Sequence, residues 1–267
     1  MKKSTLLALL AATGLGLGLS SCQEKESVTV KNQVSEETIS QIKALGFTST
    51  GALKVEGGVL VEGDIVLTNE MLASAPEQNM LRVGQDEQYR TNNLVSVGTG
   101  RTIRVAITTS LPSAYVTATD EAIRRFNAQN LRIKFLRVSS SYNILLSKAP
   151  AGSSYLASAG FPTNGNPFNS VQVNSDAIGT ANASTYIATI LAHEIGHCIG
   201  FRHTDYMSRQ YSCGGAAVNE GASTVGAVYI PGTPSGPDPS SWMLACIGSG
   251  GNRPFNANDV TALNYVY

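Results

Sequence analysis

The chain has 267 residues, and its 19 basic and 19 acidic side chains give a formal net charge of zero. No basic cluster follows residue 22, so the sequence lacks the positive surface that binds nucleic acid, and we expect no such partner. The length is sufficient for a catalytic domain with a smaller region before it. We expect a monomer.

Residues 1–21 have the features of an export signal, because two lysines precede an apolar run over 6–19. The end of this run resembles a bacterial lipobox. That resemblance implies that Cys22 is acylated and anchors the mature protein to a membrane. Gln23, in place of aspartate, implies sorting to an outer membrane or the cell surface. We therefore expect an extracytoplasmic bacterial lipoprotein.

Residues 22–99 are expected to form a tether and a propeptide-like region, with a short helix over 35–45. We expect a junction that can be cut between Arg90 and Gly100, in a polar stretch that contains glycine.

A short motif, Val61-Glu62-Gly63-Asp64, lies inside this region. It resembles the FxGD region of astacin propeptides, with valine in place of phenylalanine. The resemblance implies that Asp64 is a zymogen ligand of a catalytic zinc. The alternative is that Gly63 and Asp64 form only a turn between two strands.

Apolar periodicity predicts a sheet with helices in the rest of the chain. Alternation of apolar and polar residues predicts four strands, over 102–108, 131–138, 143–147 and 170–174. A helix is predicted after Pro112, with a 3.6-residue apolar stripe over 118–127. A second helix is expected to begin near Ser184 as its cap, with a buried face and the histidines on another face. The buried face consists of Ile187, Leu191, Ile195 and Cys198. A third helix is expected after a cap at 256–259.

The only three histidines, His193, His197 and His203, fall within the eleven residues HEIGHCIGFRH. Residues four apart on a helix differ by about 40° of rotation, so the first two imidazoles project side by side. Gly200 permits a left-handed exit that returns His203 to the same ion. Three nitrogen ligands with an open fourth position are typical of a catalytic zinc. The alternatives are a surface helix with incidental histidines and a metal site without turnover.

Glu194 stands beside the first histidine, and its carboxylate is directed at the open side of the site. A carboxylate in that position suits a general base that takes a proton from the attacking water.

HEIGHCIGFRH resembles the HExxHxxGxxH motif of metzincin zinc peptidases, and its literal HEIGH resembles the dual-action HEIGH metallopeptidase family. The resemblance implies a Met-turn methionine below the zinc, for which Met243 is the candidate. It also implies an α+β, metzincin-type catalytic domain over 100–267, with a twisted mixed sheet, an active-site helix, the Met-turn and a C-terminal helix. The implied cofactor is Zn²⁺ and the implied partner is a protein or peptide substrate.

Cysteine usage predicts one disulfide and one free thiol, because Cys198, Cys213 and Cys246 remain after Cys22. Cys213 could pair with Cys246 across a long loop, or with Cys198 at the exit of the zinc helix.

We therefore expect a secreted zinc endopeptidase with Glu194 as general base. One alternative is a catalytically silent surface binding protein on a zincin fold, and the intact Glu194 argues against it. The other is a metallo-amidase that acts on cell-wall peptides.

Overall fold

The computed structural model describes residues 34–75, 88–221, 225–234 and 236–267. All of these residues lie in one compact unit, Asn32–Tyr267. The signal segment 1–21 and Cys22 lie outside the described residues. Within the described ranges, no helix is both long and apolar enough to cross a membrane.

The N-terminal part is a helix packed with an antiparallel meander. Its elements are α1 (Glu36–Ala44), β1 (Leu53–Val55), β2 (Gly58–Val61), β3 (Ile65–Thr68) and α2 (Asn69–Ala73), with strand order β1-β2-β3. The side chain of Ser35 accepts a hydrogen bond from the Thr38 N–H, which satisfies one of the unpaired donors of the first turn of α1.

The larger part is a five-stranded mixed sheet covered by helices. Its elements are β4 (Tyr89–Arg90), β5 (Arg101–Ile107), α3 (Ser113–Asn127), β6 (Ile133–Arg137), β7 (Ile144–Lys148), β8 (Ala157–Ser158), β9 (Ser170–Val173), α4 (Ser175–Ile178), α5 (Ser184–Ile199), α6 (Gln210–Cys213), β10 (Val228–Tyr229) and α7 (Ala257–Val266). The sheet order is β6-β5-β7-β9-β8, and only β8, at one edge, is antiparallel to its neighbour. The predicted α+β fold with a mixed sheet is confirmed.

One predicted helix start is confirmed and another differs from the structure. α3 begins at Ser113, directly after Pro112, whose ring fixes φ and which occupies the N-cap. Ser184 is not the cap of α5 but its first helical residue, since Ala183 holds the extended N-cap conformation without a side-chain bond.

α5 is buried on every side from Tyr186 onward, rather than along one face. It lies between α3, the strands β8 and β9, and the segment around Trp242 and Met243. A helix enclosed in this way can carry polar side chains only where they have partners, and this restricts the histidines to one geometry.

The predicted cap of the last helix is present, and it also fixes the Met-turn. Asn256 and Asp259 form a reciprocal capping box. The fully buried Asp259 carboxylate accepts further bonds from Gln88, from the Ser241 hydroxyl and from the Trp242 N–H. One carboxylate therefore joins the start of α7 to the chain just before Met243.

The boundary predicted at residue 100 stays a prediction. Residues ahead of it pack against the exit of α5: the Thr91 N–H donates to the Gly200 carbonyl, and the Arg202 N–H donates to the Tyr89 carbonyl. Val95 lies in the main core.

Candidate metal centre

The structure brings the Nε2 atoms of His193, His197 and His203 to one point. The His193 and His197 nitrogens lie 3.0 Å apart, and those of His197 and His203 lie 3.2 Å apart. The first two project side by side from α5, as their spacing predicts. All three side chains are buried or nearly so.

Two glycines of the motif make this geometry possible. Gly200 ends α5 at φ 108°, a left-handed conformation that turns the chain back so that His203 faces the helix. Gly196 lies against the Met-turn, where an added Cβ would be 2.6 Å from the Trp242 ring and 2.7 Å from the Met243 sulfur. Met243, which is fully buried, thus packs on α5 between the first two histidines.

Each imidazole is oriented through its other nitrogen. The Nδ1 of His193 donates to the Trp242 carbonyl at 3.0 Å, and that of His197 donates to the Phe201 carbonyl at 2.9 Å. The Nδ1 of His203 lies 2.9 and 3.1 Å from the two oxygens of Glu220. Carbonyl and carboxylate oxygens only accept, so each Nδ1 carries a proton. In the neutral imidazole, the form that binds a metal, each Nε2 then presents a lone pair.

This donor set fits zinc. Zinc holds nitrogen ligands at about 2.0–2.1 Å in a tetrahedron, which places the ligand atoms about 3.4 Å apart. The fourth corner is Asp64, whose Oδ2 lies 3.1 Å from the His203 Nε2 and 3.5 Å from the His193 Nε2. Three lone pairs and a carboxylate oxygen that face one point repel each other unless a cation lies between them.

Asp64 is held by a turn as well as by this cluster. The turn interpretation of its motif is therefore confirmed, and the zinc-ligand interpretation stays a prediction. Glu62 and Gly63 adopt left-handed conformations, with φ 55° and 91°, and lead from β2 into β3. After the turn, the Ala159 N–H donates to the Asp64 carbonyl and the Val66 N–H donates to the Ala159 carbonyl. The segment thereby lies parallel to the sheet edge beside the histidines. The Asp64 carboxylate lies beside the histidines, where the open position is predicted.

Glu194 lies next to the cluster and is 3 % exposed. Its Oε2 is buried and has no hydrogen-bond partner among the described residues. Burial raises the pKa of Glu194 well above its ordinary value, and the nearby Asp64 charge raises it further. A carboxylate with raised pKa and an unpartnered oxygen beside a metal site is suited to accept a proton.

The surroundings shift the pKa values of His197 and His203 in opposite directions. Burial lowers the pKa of His197, and the neighbouring imidazoles lower it further. For His203, burial acts to lower the pKa, but the carboxylates of Asp64 and Glu220 outweigh it and raise it. Negative charge therefore concentrates on the His203 side of the cluster.

A buried ionic network joins this side to the N-terminal part. Arg202 lies 3.4 Å from Glu62 and 3.8 Å from Glu220, with none of the three side chains exposed. Its guanidinium also stacks on the Phe47 ring at 4.8 Å. Glu62 and Phe47 belong to the N-terminal part, so the segment that carries Asp64 is fixed to the catalytic part at a second point.

A cleft beside the cluster encloses about 670 Å³ that is open to solvent. It lies between α5 and the segment after Met243. Asp64, His193 and Glu194 line one end, and the remaining walls are mainly apolar, with Leu156, Ile190, Leu244 and Ile247 among them.

A disulfide stabilises one wall of this cleft. Cys213 pairs with Cys246, whereas Cys198 is a buried free thiol in α5. The first of the two pairings that the sequence left open is therefore the correct one. The Ala245 N–H also donates to Asp205, which holds the same wall.

A family model described as dual-action HEIGH metallo-peptidase matches residues 59–267, most of the chain. The chain belongs to this family. The predicted resemblance is confirmed, and the protein is a metallopeptidase that binds a metal. The match begins at β2, so it includes the segment with Asp64.

Comparison with solved structures gives more remote similarities to this HEIGH metallopeptidase. A structure of myroilysin is 20% identical with a TM-score of 0.41, covering 65% of this chain and 95% of that one. A crystal structure of myroilysin is 16% identical with a TM-score of 0.37, covering 63% and 86%. No curated protein matches the chain.

Sequence reasoning missed three charged residues around the site. Glu220, which contacts His203, and Arg253, which lines the cleft, lie in segments without periodicity, and nothing in their spacing connects them with the motif. Arg202 stands inside the motif, but its pairing with Glu62 depends on a segment 140 positions away. Among the described residues of the loop 208–240, Arg209 lines the cleft. Residues that follow Met243 form more of the lining, among them Leu244 and Ile247.

Proposed function

We propose that this protein is a zinc endopeptidase made as a latent precursor, with Glu194 as general base. The observation that carries the proposal is the convergence of three Nε2 lone pairs beside a buried carboxylate with an unpartnered oxygen. His193, His197 and His203 would hold the metal, and three imidazoles in tetrahedral array favour zinc.

When bound, zinc acidifies water and polarises a carbonyl group. The chain's own residues supply the rest. Glu194 takes the proton of the attacking water and passes it to the leaving amine, as its raised pKa allows. The hydrogen bonds at Nδ1 of the histidines fix their tautomers, and Met243 packs against α5 at Gly196.

An extended substrate would pair with β8 at the edge of the sheet. Backbone pairing with an exposed strand is a common mode of peptide capture, and it does not require a chain end. The segment 64–66 already makes two such bonds to Ala159, which shows that the edge accepts a strand. This supports cleavage within chains rather than at their ends.

Asp64 would keep the precursor inactive by filling the fourth ligand position. The N-terminal segment would leave after proteolysis, and the cleft would then admit substrate. The Glu62–Arg202 pair and the pairing with Ala159 hold the segment in place until then.

We also propose export and lipid anchoring through Cys22. The Cys213–Cys246 disulfide supports a location outside the reducing cytoplasm. If the anchor exists, Cys22→Ser moves the protein from the membrane fraction to the soluble fraction of the cells. An unchanged distribution contradicts it.

The test of the function is digestion of an unfolded protein by the chain that starts at Gln23, before and after treatment with limited protease. We expect internal cuts by mass spectrometry, loss of cutting on chelation and recovery with one equivalent of zinc. Cleavage of cell-wall peptides alone would indicate the amidase instead. Zinc binding without any cleavage, even after the N-terminal segment is removed, would indicate a silent binding protein.

A further inference from the structure

One charged side chain in the wall of the cleft forms no ion pair with the described residues, although the carboxylates of Asp205 and Asp259 act on its charge from a greater distance. Arg253 lines the cleft on the side of Leu244 and Ile247, together with residues of α5. Its only side-chain hydrogen bond runs from one guanidinium nitrogen to the Cys246 carbonyl at 2.8 Å. Within the described ranges, no carboxylate lies within 4.0 Å of it. Arg209, at the mouth of the same cleft, is different because it pairs with Glu220 at 3.2 Å.

The backbone of Arg253 is held rigidly, so the guanidinium starts from a fixed point. Its N–H donates to the Thr189 hydroxyl, one turn before His193 on α5. The buried Arg125 of α3 donates to the same hydroxyl and to the Asn252 side chain. A charged group on such a support needs little reorganisation to meet a ligand.

Its surroundings favour an anion. Partial burial lowers the pKa of the Arg253 guanidinium, which reflects the loss of water around it. A guanidinium presents planar N–H donors that match a carboxylate, and such a bond strengthens where water is partly excluded. The apolar walls of Ile190, Leu244 and Ile247 suit the methylene groups of a side chain that ends in the acid.

We propose that Arg253 is a specificity residue that selects substrates with an acidic side chain, glutamate or aspartate, next to the scissile bond. The inference rests on the proposed function, because it takes the cleft beside Glu194 as the place where a substrate side chain enters.

The first test measures binding, so it does not depend on turnover. The full chain with Asp64→Ala and Glu194→Gln is titrated with fluorescent peptides that differ only by glutamate or glutamine at one position, scanned along the peptide. We expect one position at which glutamate binds about 10-fold more tightly, the effect of one charge-assisted hydrogen bond. Arg253→Gln abolishes the difference, and Arg253→Lys restores part of it.

The control is Arg137→Gln, which removes the same charge from the surface, where Arg137 pairs with Asp120 at 2.6 Å. It should leave the glutamate preference intact. Equal binding of both peptides at every position overturns the proposal. The proposal is also overturned if the Arg253→Gln variant melts at a lower temperature yet keeps the preference for glutamate. In that case Arg253 would only hold the loop at Cys246.

The second test maps cuts in a peptide library with the Asp64→Ala chain. Acidic residues should be enriched at one position beside the cut, and Arg253→Gln should remove that enrichment. If cuts occur without enrichment of acidic residues, the role of Arg253 is overturned and the proposed endopeptidase activity is not. If glutamate peptides bind selectively in the first test but no peptide is cut, the endopeptidase activity is overturned and the role of Arg253 in binding is not.

Discussion

Replacement of Asp64 by alanine should activate the uncut precursor. In the structure its Oδ2 clusters with three histidine nitrogens, at 3.1 Å from His203 and 3.5 Å from His193. The variant loses a charged contact worth about 1.5–3 kcal/mol, and the rate of peptide cleavage should rise roughly 10- to 100-fold. The two backbone bonds to Ala159 and the Glu62–Arg202 pair remain, so the variant should stay less active than the protein without its N-terminal segment.

The assay is hydrolysis of a quenched fluorescent peptide by the intact chain, with its length checked on a gel before and after. Asp64→Asn is the matched variant that keeps the size of the side chain and removes its charge. It should be activated in the same direction. A rate that does not change in Asp64→Ala, in a chain that still binds zinc and melts normally, would refute the role of Asp64 as an inhibitory ligand.

Three further predictions concern the support of the site. Glu220→Gln removes the carboxylate that orients His203, and it should weaken zinc binding about 10- to 100-fold in a chelator competition. An unaltered zinc affinity would contradict the orienting role of Glu220. Replacement of both Cys213 and Cys246 by serine should lower the free energy of unfolding in denaturant by about 4 kcal/mol, because the disulfide closes a loop over 33 positions. An unchanged free energy would show that the unfolded chain gains no conformational entropy when the loop is opened. Burial raises the pKa of Asp259 to about 7, so above pH 4 the folded state retains a proton that the unfolded state has released. The free energy of unfolding should therefore fall by roughly 4 kcal/mol at most as the pH rises from about 4 to 7. Asp259→Asn should reduce this dependence on pH. The same dependence in both proteins would contradict the raised pKa of Asp259.

The parts of the site that follow from sequence are those determined by short-range geometry. His193 and His197 face one ion because they are one helical turn apart, and Gly200 ends the helix because it tolerates positive φ. The cap at Asn256 follows in the same way from local hydrogen bonding. In each case the deciding contacts lie within a few residues of chain.

The parts that do not follow depend on contacts between distant segments. Glu220 reaches His203 from a loop, and Glu62 reaches Arg202 across 140 positions. The motif at Gly63 and Asp64 is compatible both with a simple turn and with a metal ligand, and only the packing of β3 against Ala159 places it at the histidines. The pairing of Cys213 likewise depends on how the chain passes Met243.

The complete burial of α5 shows the same limit. Its periodicity predicts a buried face with Ile187, Leu191 and Ile195, and these residues are indeed fully buried. Its opposite face is also buried, against the Met-turn and the N-terminal segment. The periodicity of a helix does not reveal that a second face is buried by distant segments.

The most direct test of the central claim compares Asp64→Ala with the double variant Asp64→Ala, Glu194→Gln, each in the full chain, for cleavage of an unfolded protein and for bound zinc. We expect one zinc in both proteins, cleavage by the first and a loss of at least about 100-fold in the second, within the usual contribution of a general base. Equal cleavage by the two proteins with equal zinc would contradict the assignment of Glu194 as the base.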